Sequence, residues 1–271
     1  MRVSILIPTY RDLVALGLIL ESLEKQSYKN FEVVVAEDAN DVETQELLSK
    51  FETLDIKHVS HEDAGNRKAT ILNKALHVVT GEYLIFIDGD TIPFSTFVES
   101  HVALAKPKRI LCGRRVNLGE GVSTNLREKK KSTYAIEKSY FKHYSYLKKN
   151  GTRHYEQGLR VKPNSFMQKR LMNANKNVHI LGSNFSCFKK DMFAINGFDE
   201  DIIGGSKDDV DLEWRFIMSG CLLNSCKYCA NMFHLNHRRD SRVEEEEIAK
   251  EQMKKNRDEK RFVCSNGIIK S

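Results

Sequence analysis

Long apolar runs are missing from this sequence. The longest, Val3–Ile7 and Tyr83–Ile87, have the length of a strand, so neither a transmembrane segment nor a signal peptide is expected. Proline is scarce, with four residues in 271, and glycine totals fifteen. Collagen-like, linker-like and proline-rich disordered chains are thereby excluded. Several chemical signatures are missing too. No G-x-G-x-x-G turn follows the first strand, which argues against a nicotinamide or flavin enzyme. Without a Walker A loop, a G-x-S-x-G elbow or an H-E-x-x-H helix, the P-loop kinase, hydrolase and zincin readings lose their core motifs.

What is present describes a folded α/β domain. Apolar residues make up 41% and charged residues 30%, the balance of a globular protein able to bury a full core. The six cysteines read as free thiols; Cys226-Lys-Tyr-Cys229 has the spacing of half a zinc site, but no second C-x-x-C completes it. The formal charge of +6 is unevenly placed. From Arg127 to Lys176 fourteen Lys and Arg face three Glu, a net +11, so the remainder carries about −5. A basic middle on an acidic body points to a localised anionic or interfacial partner rather than to nucleic acid.

The first ninety or so residues alternate short apolar runs with helical spacing. Strands are expected at Val3–Ile7, Phe31–Ala36, Ile56–Val59 and Tyr83–Ile87, and helices at Leu13–Gln26, Val42–Phe51 and Asn66–Val79. Strands that are apolar throughout are covered on both faces, so an open, mostly parallel sheet is expected, with ligands beyond its carboxyl ends. Those ends carry Pro8-Thr9-Tyr10, Glu37-Asp38 and Asp88-Gly89-Asp90. Further on, Phe94–Leu104 and Asp208–Met218 read as helices, and 110–116, 179–188 and 224–235 as strands with their exits. The aromatic and basic stretch Tyr134–Lys149 reads either as a helix packed on the core or as a surface for anionic lipid or an acidic glycan. Glu244–Arg261 reads as a solvated helix with acids before bases.

Five groups of residues could carry chemistry. Asp88 and Asp90, two apart after an apolar strand, can chelate a hard divalent ion. Asp38 can read a ribose or base. Asp208, Asp209 and Asp211 open a helix; Asp208 and Asp211 are expected on one face with Asp209 pointing elsewhere, and a carboxylate there can act as general base. His234 and His237 can complete a metal sphere. Arg67 and Lys68 open a helix after Gly65, where they meet either a diphosphate or solvent.

In this order the set resembles the family 2 glycosyltransferases of GT-A fold. The residues that carry the resemblance are VSILIPTYRD, EDAN, GNRKATILNKAL, GEYLIFIDGDTIP, LGSNFSCFKKDMFAINGFDE, GGSKDDVDLEWRF and FHLNHRRD. The last two resemble the galactosyltransferase-like C-terminal part of chondroitin-polymerase-type and β-1,4-galactosyltransferase-like enzymes. The resemblance implies an α/β GT-A fold with an open, mostly parallel central sheet flanked by helices. It implies one catalytic domain over 1–240: a nucleotide-sugar-binding half at 1–118, a basic acceptor-side insertion at 119–177, an acceptor half at 178–240, then a charged helix and tail at 241–271.

By the same resemblance Pro8, Thr9 and Tyr10 border the nucleotide, Asp38 contacts uracil or ribose, and Arg67 lies near the diphosphate. Asp88 and Gly89 touch the donor, while Asp90, His237 and His234 bind Mn²⁺ or Mg²⁺. Asp209 is the catalytic base and Asp208 holds the acceptor. The expected reaction moves a hexose or N-acetylhexosamine from a UDP-sugar to a hydroxyl of a glycan, polysaccharide or lipid-linked acceptor, with inversion. The expected setting is cell-envelope polysaccharide synthesis in the cytoplasm, with peripheral contact through 127–176 to an anionic membrane at its inner face. A sugar-phosphate nucleotidyltransferase and a non-catalytic carbohydrate-binding protein are the alternatives. The family's usual Gly-Trp-Gly-Gly is here Gly204-Gly205-Ser206-Lys207, so the tryptophan that lines the sugar site is missing.

Overall fold

The structure is a computed structural model that describes every residue except 66, 175–176, 203–206, 238–242 and 271, and the side chains of 173–174 and 243–245. In chain order the first half runs β1 (Val3–Thr9), α1 (Leu13–Glu24), β2 (Phe31–Glu37), α2 (Val42–Leu48), β3 (Ile56–Ser60), α3 (Lys68–Val78), β4 (Tyr83–Ile87), β5 (Thr91–Pro93) and α4 (Phe97–Leu104). Next come β6 (Arg109–Cys112), β7 (Val116–Asn117), α5 (Glu120–Arg127), α6 (Thr133–Lys138), α7 (Tyr140–Lys149) and α8 (Phe166–Ala174). The chain closes with β8 (Asn184–Phe188), α9 (Lys189–Ala194), α10 (Lys207–Met218), β9 (Leu222–Ser225), β10 (Met232–His234) and α11 (Val243–Asp258). The expected helix start at Asn66 and the runs Gly204-Gly205-Ser206 and Arg238-Arg239-Asp240 lie outside the described residues.

A seven-stranded sheet in the order β3-β2-β1-β4-β8-β6-β9 forms the centre. The first four strands are parallel, with β1, β2 and β4 buried nearly throughout and β3 (IKHVS) a half-buried edge; β8 runs antiparallel to both β4 and β6. Successive side chains of β1 go to opposite faces. Ile5 and Ile7 pack with α1 and with Ile136, Tyr140 and Leu147 of α6 and α7, whereas Leu6 packs with α3 and α10. Each such buried aliphatic side chain contributes about 1.5–3 kcal/mol of transfer free energy, so both helical layers are held by the same strand. Among the described residues no helix is long and apolar enough to cross a membrane.

A second sheet, β5-β10-β7, was hidden from the sequence reading. The expected strand 110–116 is divided between the two sheets. Gly113 sits where the side chain of Asn184 passes; a Cβ there would lie 2.2 Å from Asn184 Cγ. Asn184 Nδ2 donates to the carbonyls of Arg114 and Ala230, so one buried amide holds the chain at the break. The expected strand 224–235 divides in the same way at the turn Cys226–Ala230, and β8 starts only at Asn184. The six cysteines are free and buried.

The basic section is bound into the body. Tyr134–Lys149 is interrupted at Ser139, whose backbone leaves the helical region and whose Oγ donates to the Ala135 carbonyl. Glu137 of α6 accepts from Ser95 N at 2.9 Å and Ser95 Oγ at 2.5 Å, just ahead of α4. Arg127 forks onto Asp12 at 2.7 and 2.8 Å. Glu137→Ala should lower stability by about 1–2 kcal/mol, because it leaves a half-buried amide and hydroxyl without their acceptor; urea denaturation checks this.

Candidate functional site

The site is built where β1, β2 and β4 end. Asp38 N donates to the Thr9 carbonyl at 2.9 Å, which ties the ends of β1 and β2 together. Asp38 is buried and its carboxylate is oriented from two sides: Oδ1 lies 2.5 Å from His61 Nε2, and Oδ2 accepts from Arg67 N at 2.8 Å. Its neighbour Glu37 turns the other way and is occupied by Thr44 Oγ1 at 2.5 Å and His58 Nε2 at 2.8 Å. Asp38, not Glu37, is therefore the acid available at this edge. Pro8 borders the cleft that also receives Asp208 and Asp209. Thr9 is buried, and Tyr10 is exposed with its hydroxyl donating to Asp63 at 3.0 Å.

The turn after β4 is forced close to β1. A Cβ on Gly89 would stand 2.5 Å from the Pro8 carbonyl oxygen, so only glycine fits between Asp88 and Asp90. The chain then enters β5, which pairs antiparallel with β10 in the register His234↔Thr91. Leu235 N donates to the Asp90 carbonyl at 3.0 Å, extending that register by one step. This pairing sets His234 and His237 beside Asp90. Their Nε2 atoms lie 3.3 and 3.1 Å from Asp90 Oδ2.

The donor atoms of these three residues all lie within 4.8 Å of one another. Asp90 Oδ1 is buried and has no hydrogen-bond partner among the described residues. Burial alone would raise the Asp90 carboxyl; hydrogen bonds and charge from His234 and His237 hold it well below the usual range. One ionised carboxylate with a spare oxygen and two imidazoles form a donor set suited to a divalent first-row ion.

A second cluster stands beside the first. Lys68 Nζ donates to Asp88 Oδ1 at 2.8 Å and lies 3.8 Å from Asp208 Oδ2; Arg115 Nη1 approaches Asp88 Oδ2 at 3.5 Å. Burial disfavours the Lys68 ammonium, yet Asp88, Asp208 and Asp209 outweigh it and raise its pKa. Burial and the neighbouring Asp208 push Asp209 up to about 7, against the pull of Lys68. Burial likewise raises Asp208, whose Oδ1 accepts from Asp209 N at 3.0 Å. Gly182 leaves the space for Asp209: a Cβ there would meet its Oδ1 at 2.5 Å. Asp208, Asp209, Lys68 and Pro8 line one cleft of about 210 Å³ with Phe86, Phe185 and Phe198 behind them.

Two expectations change. Asp208 and Asp209 both face the cleft, and Asp211 does not. Neighbours about 100° apart on a first helical turn can border the same opening, while Asp211 is drawn into the core by Arg215 Nε at 2.5 Å. The guanidinium of Arg67 donates to the Glu62 carbonyl, and it is Lys68 and Arg115 that bring cations to Asp88. Of these, only Lys68 was named from the sequence, beside Arg67, as a cation for a diphosphate or solvent. Lys68 had a signal in its helix-start position; Arg115 had none.

The chain matches the profile of Glycosyl transferase family 2 over residues 4–193, and it belongs to that family. Chondroitin synthase of Escherichia coli is 31% identical over 103 residues, 37% of this chain and 15% of that protein. The putative glycosyltransferase EpsE of Bacillus subtilis is 29% identical over 110 residues, 40% of each chain. The chain thus spans well under half the length of these curated relatives. In fold it is similar to mannosyltransferase PcManGT from Pyrobaculum calidifontis in complex with GDP-Man and Mn²⁺, with a TM-score of 0.57, 18% identity, and 88% of this chain and 58% of that one covered. Staphylococcus aureus TarS 1–349 in complex with UDP-GlcNAc gives a TM-score of 0.55 at 17% identity, covering 89% and 60%.

Titration with Mn²⁺ should raise stability by about 2.7 kcal/mol at a hundredfold excess over Kd. Asp90→Asn and a His234→Ala/His237→Ala double variant should each abolish that rise, read as a thermal shift. A rise retained in both would show that the ion binds elsewhere.

Proposed function

We propose that this chain is an inverting, metal-dependent glycosyltransferase that moves a hexose or N-acetylhexosamine from a UDP-sugar to a hydroxyl of a glycan, polysaccharide or lipid-linked acceptor. One observation carries the reading. The Asp90–His234–His237 donor set and the Asp88–Lys68–Asp208–Asp209 cluster stand at the end of a single strand, β4. The family match supports sugar transfer, and the relatives solved with GDP-Man and Mn²⁺ or with UDP-GlcNAc support a nucleotide donor.

In this reading Pro8, Thr9 and Tyr10 border the base and ribose, and Asp38, aligned by His61 and the Arg67 backbone, accepts hydrogen bonds from them. Arg67 shapes this edge, and Lys68 and Arg115 supply positive charge beside the donor's diphosphate, next to Asp88 and Gly89. Asp90, His234 and His237 would hold Mn²⁺ or Mg²⁺, which when bound neutralises diphosphate charge and stabilises the leaving group. Asp208 holds the acceptor against the ammonium of Lys68. Asp209 takes the proton from the acceptor hydroxyl as its oxygen attacks the anomeric carbon. A carboxyl raised to about 7 by burial is matched to that task. One base and no second carboxylate placed as nucleophile favour single displacement, so an α-linked donor yields a β-glycoside. The segments around Asp209 and His237 resemble the galactosyltransferase-like part of β-glycoside polymerases, and this resemblance supports a β-linked product.

Asp209→Asn should lower kcat by about 10²–10⁴ while donor binding, read by calorimetry with Mn²⁺, is retained. Full turnover in that variant, or retained anomeric configuration by NMR, overturns the assignment. The base works as its anion. Below pH 7, kcat/KM should therefore rise about tenfold per pH unit and level off above the pKa of about 7. A profile flat from pH 5 to about 8 would remove Asp209 as the base.

A further inference from the structure

One surface lies outside the catalytic reading. α8 turns Gln168 inward, and Gln168 Nε2 hydrogen-bonds Met172 Sδ, so these two residues mark its inner side. Over the opposite arc follow Phe166, Arg170, Met167 and Leu171. Phe166 is 81% exposed, Met167 62% and Leu171 37%. The helix is presented from a fixed base: Val161 N donates to the Tyr228 carbonyl and Asn164 Nδ2 to the Ala103 carbonyl, both at 2.8 Å.

The chain that carries this helix has charge of one sign. No Asp or Glu occurs between Glu156 and Asp191, while Arg160, Lys162, Lys169 and Arg170 are all exposed. On α6 and α7 Phe141 is as exposed as Phe166, at 82%, but it has no exposed apolar neighbour on its helix. Tyr140 is buried, Tyr144 packs edge-on to Tyr155 at 4.8 Å, and Lys131 covers the Tyr146 ring at 3.6 Å.

We propose that α8 lies in the interface of an anionic phospholipid membrane, with Phe166, Met167 and Leu171 among the acyl chains and the four bases against headgroup phosphates. A lipid interface is apolar within and anionic at its edge, which is the complement of this face. A folded protein surface carries both signs and would leave part of this basic segment without a partner. The contact gives the chain a peripheral membrane attachment without a spanning helix.

Cosedimentation of the full chain with vesicles tests this with no activity readout, so it stands apart from the catalytic reading. Binding is expected to phosphatidylcholine vesicles containing phosphatidylglycerol, to weaken with added salt, and to vanish on phosphatidylcholine alone. Lys169→Ala with Arg170→Ala should weaken it about 30-fold, and Phe166→Ser with Met167→Ser about tenfold or more. Retained Mn²⁺ thermal shifts report that these variants fold. Equal binding to neutral vesicles, no binding at all, or binding unchanged in both variants overturns the proposal. So does a dimer that the Phe166→Ser/Met167→Ser variant abolishes without any vesicle binding, which would assign the face to a second copy.

Discussion

Four carboxylates converge at the end of β4, and like charges in a partly dry cleft repel strongly enough to suppress their own ionisation. Every other feature of the site answers that constraint. Asp90 is held ionised by two imidazoles. Asp88 is flanked by Lys68 and Arg115. Asp208 shares the same ammonium at longer range. Asp209 has no cation in direct contact among the described residues and is the acid raised to about 7. The uneven distribution of counter-charge separates the two acids: a carboxylate held ionised on one side, a carboxyl that titrates near neutrality on the other. Two acids with similar sequence signals, each beside another Asp, thus acquire opposite chemistry from their surroundings.

Much of this was legible from the residues, and the boundary has a physical cause. β1 to β4 and the helices between them were readable because strands of five to seven residues carry enough apolar periodicity to be seen. The acids at the strand ends followed from the parallel sheet. The sheet β5-β10-β7 was not readable, since strands of two or three residues have no period. Yet that sheet is what brings His234 to Asp90; only its register separates a candidate metal site from two histidines at chance spacing. The face of α10 was misjudged because helical phase alone does not know that Arg215 claims Asp211. Lys68 resembled any solvated helix start, and its partners come from elements 20 and 140 residues away.

The charge asymmetry resolves in a similar way. Part of the basic section is internal wiring: Arg127 pairs with Asp12, Lys129 with Glu21, and Lys131 covers a tyrosine ring. These contacts fasten α5 to α7 on the same side of the sheet as α1. The bases around α8 have no acid near them in sequence and remain at the surface. A single net figure of +11 therefore combines two functions, fastening and presentation, that only the fold separates.

Lys68 can serve acids from two different elements only if α3 keeps its distance from the chain that leads into α10. Asn73, on α3 about one turn beyond Lys68, holds that distance. Its Nδ2 donates to the Phe198 carbonyl and to Glu200 Oε1, and its Oδ1 accepts from Phe198 N, each at 2.9 Å. Thr70 adds a bond to Glu200 Oε2 at 2.9 Å. From the far end of the chain, Lys270 Nζ reaches Glu200 Oε1 at 2.5 Å and the Asn266 carbonyl accepts from Glu200 N. Burial would raise the Glu200 carboxyl, but Asn73, Lys270 and Thr70 together hold it lowered, so it stays charged and keeps all three segments. The tail after α11 is thus more than a solvated end: through Glu200 it is tied to α3, the helix that opens with Lys68.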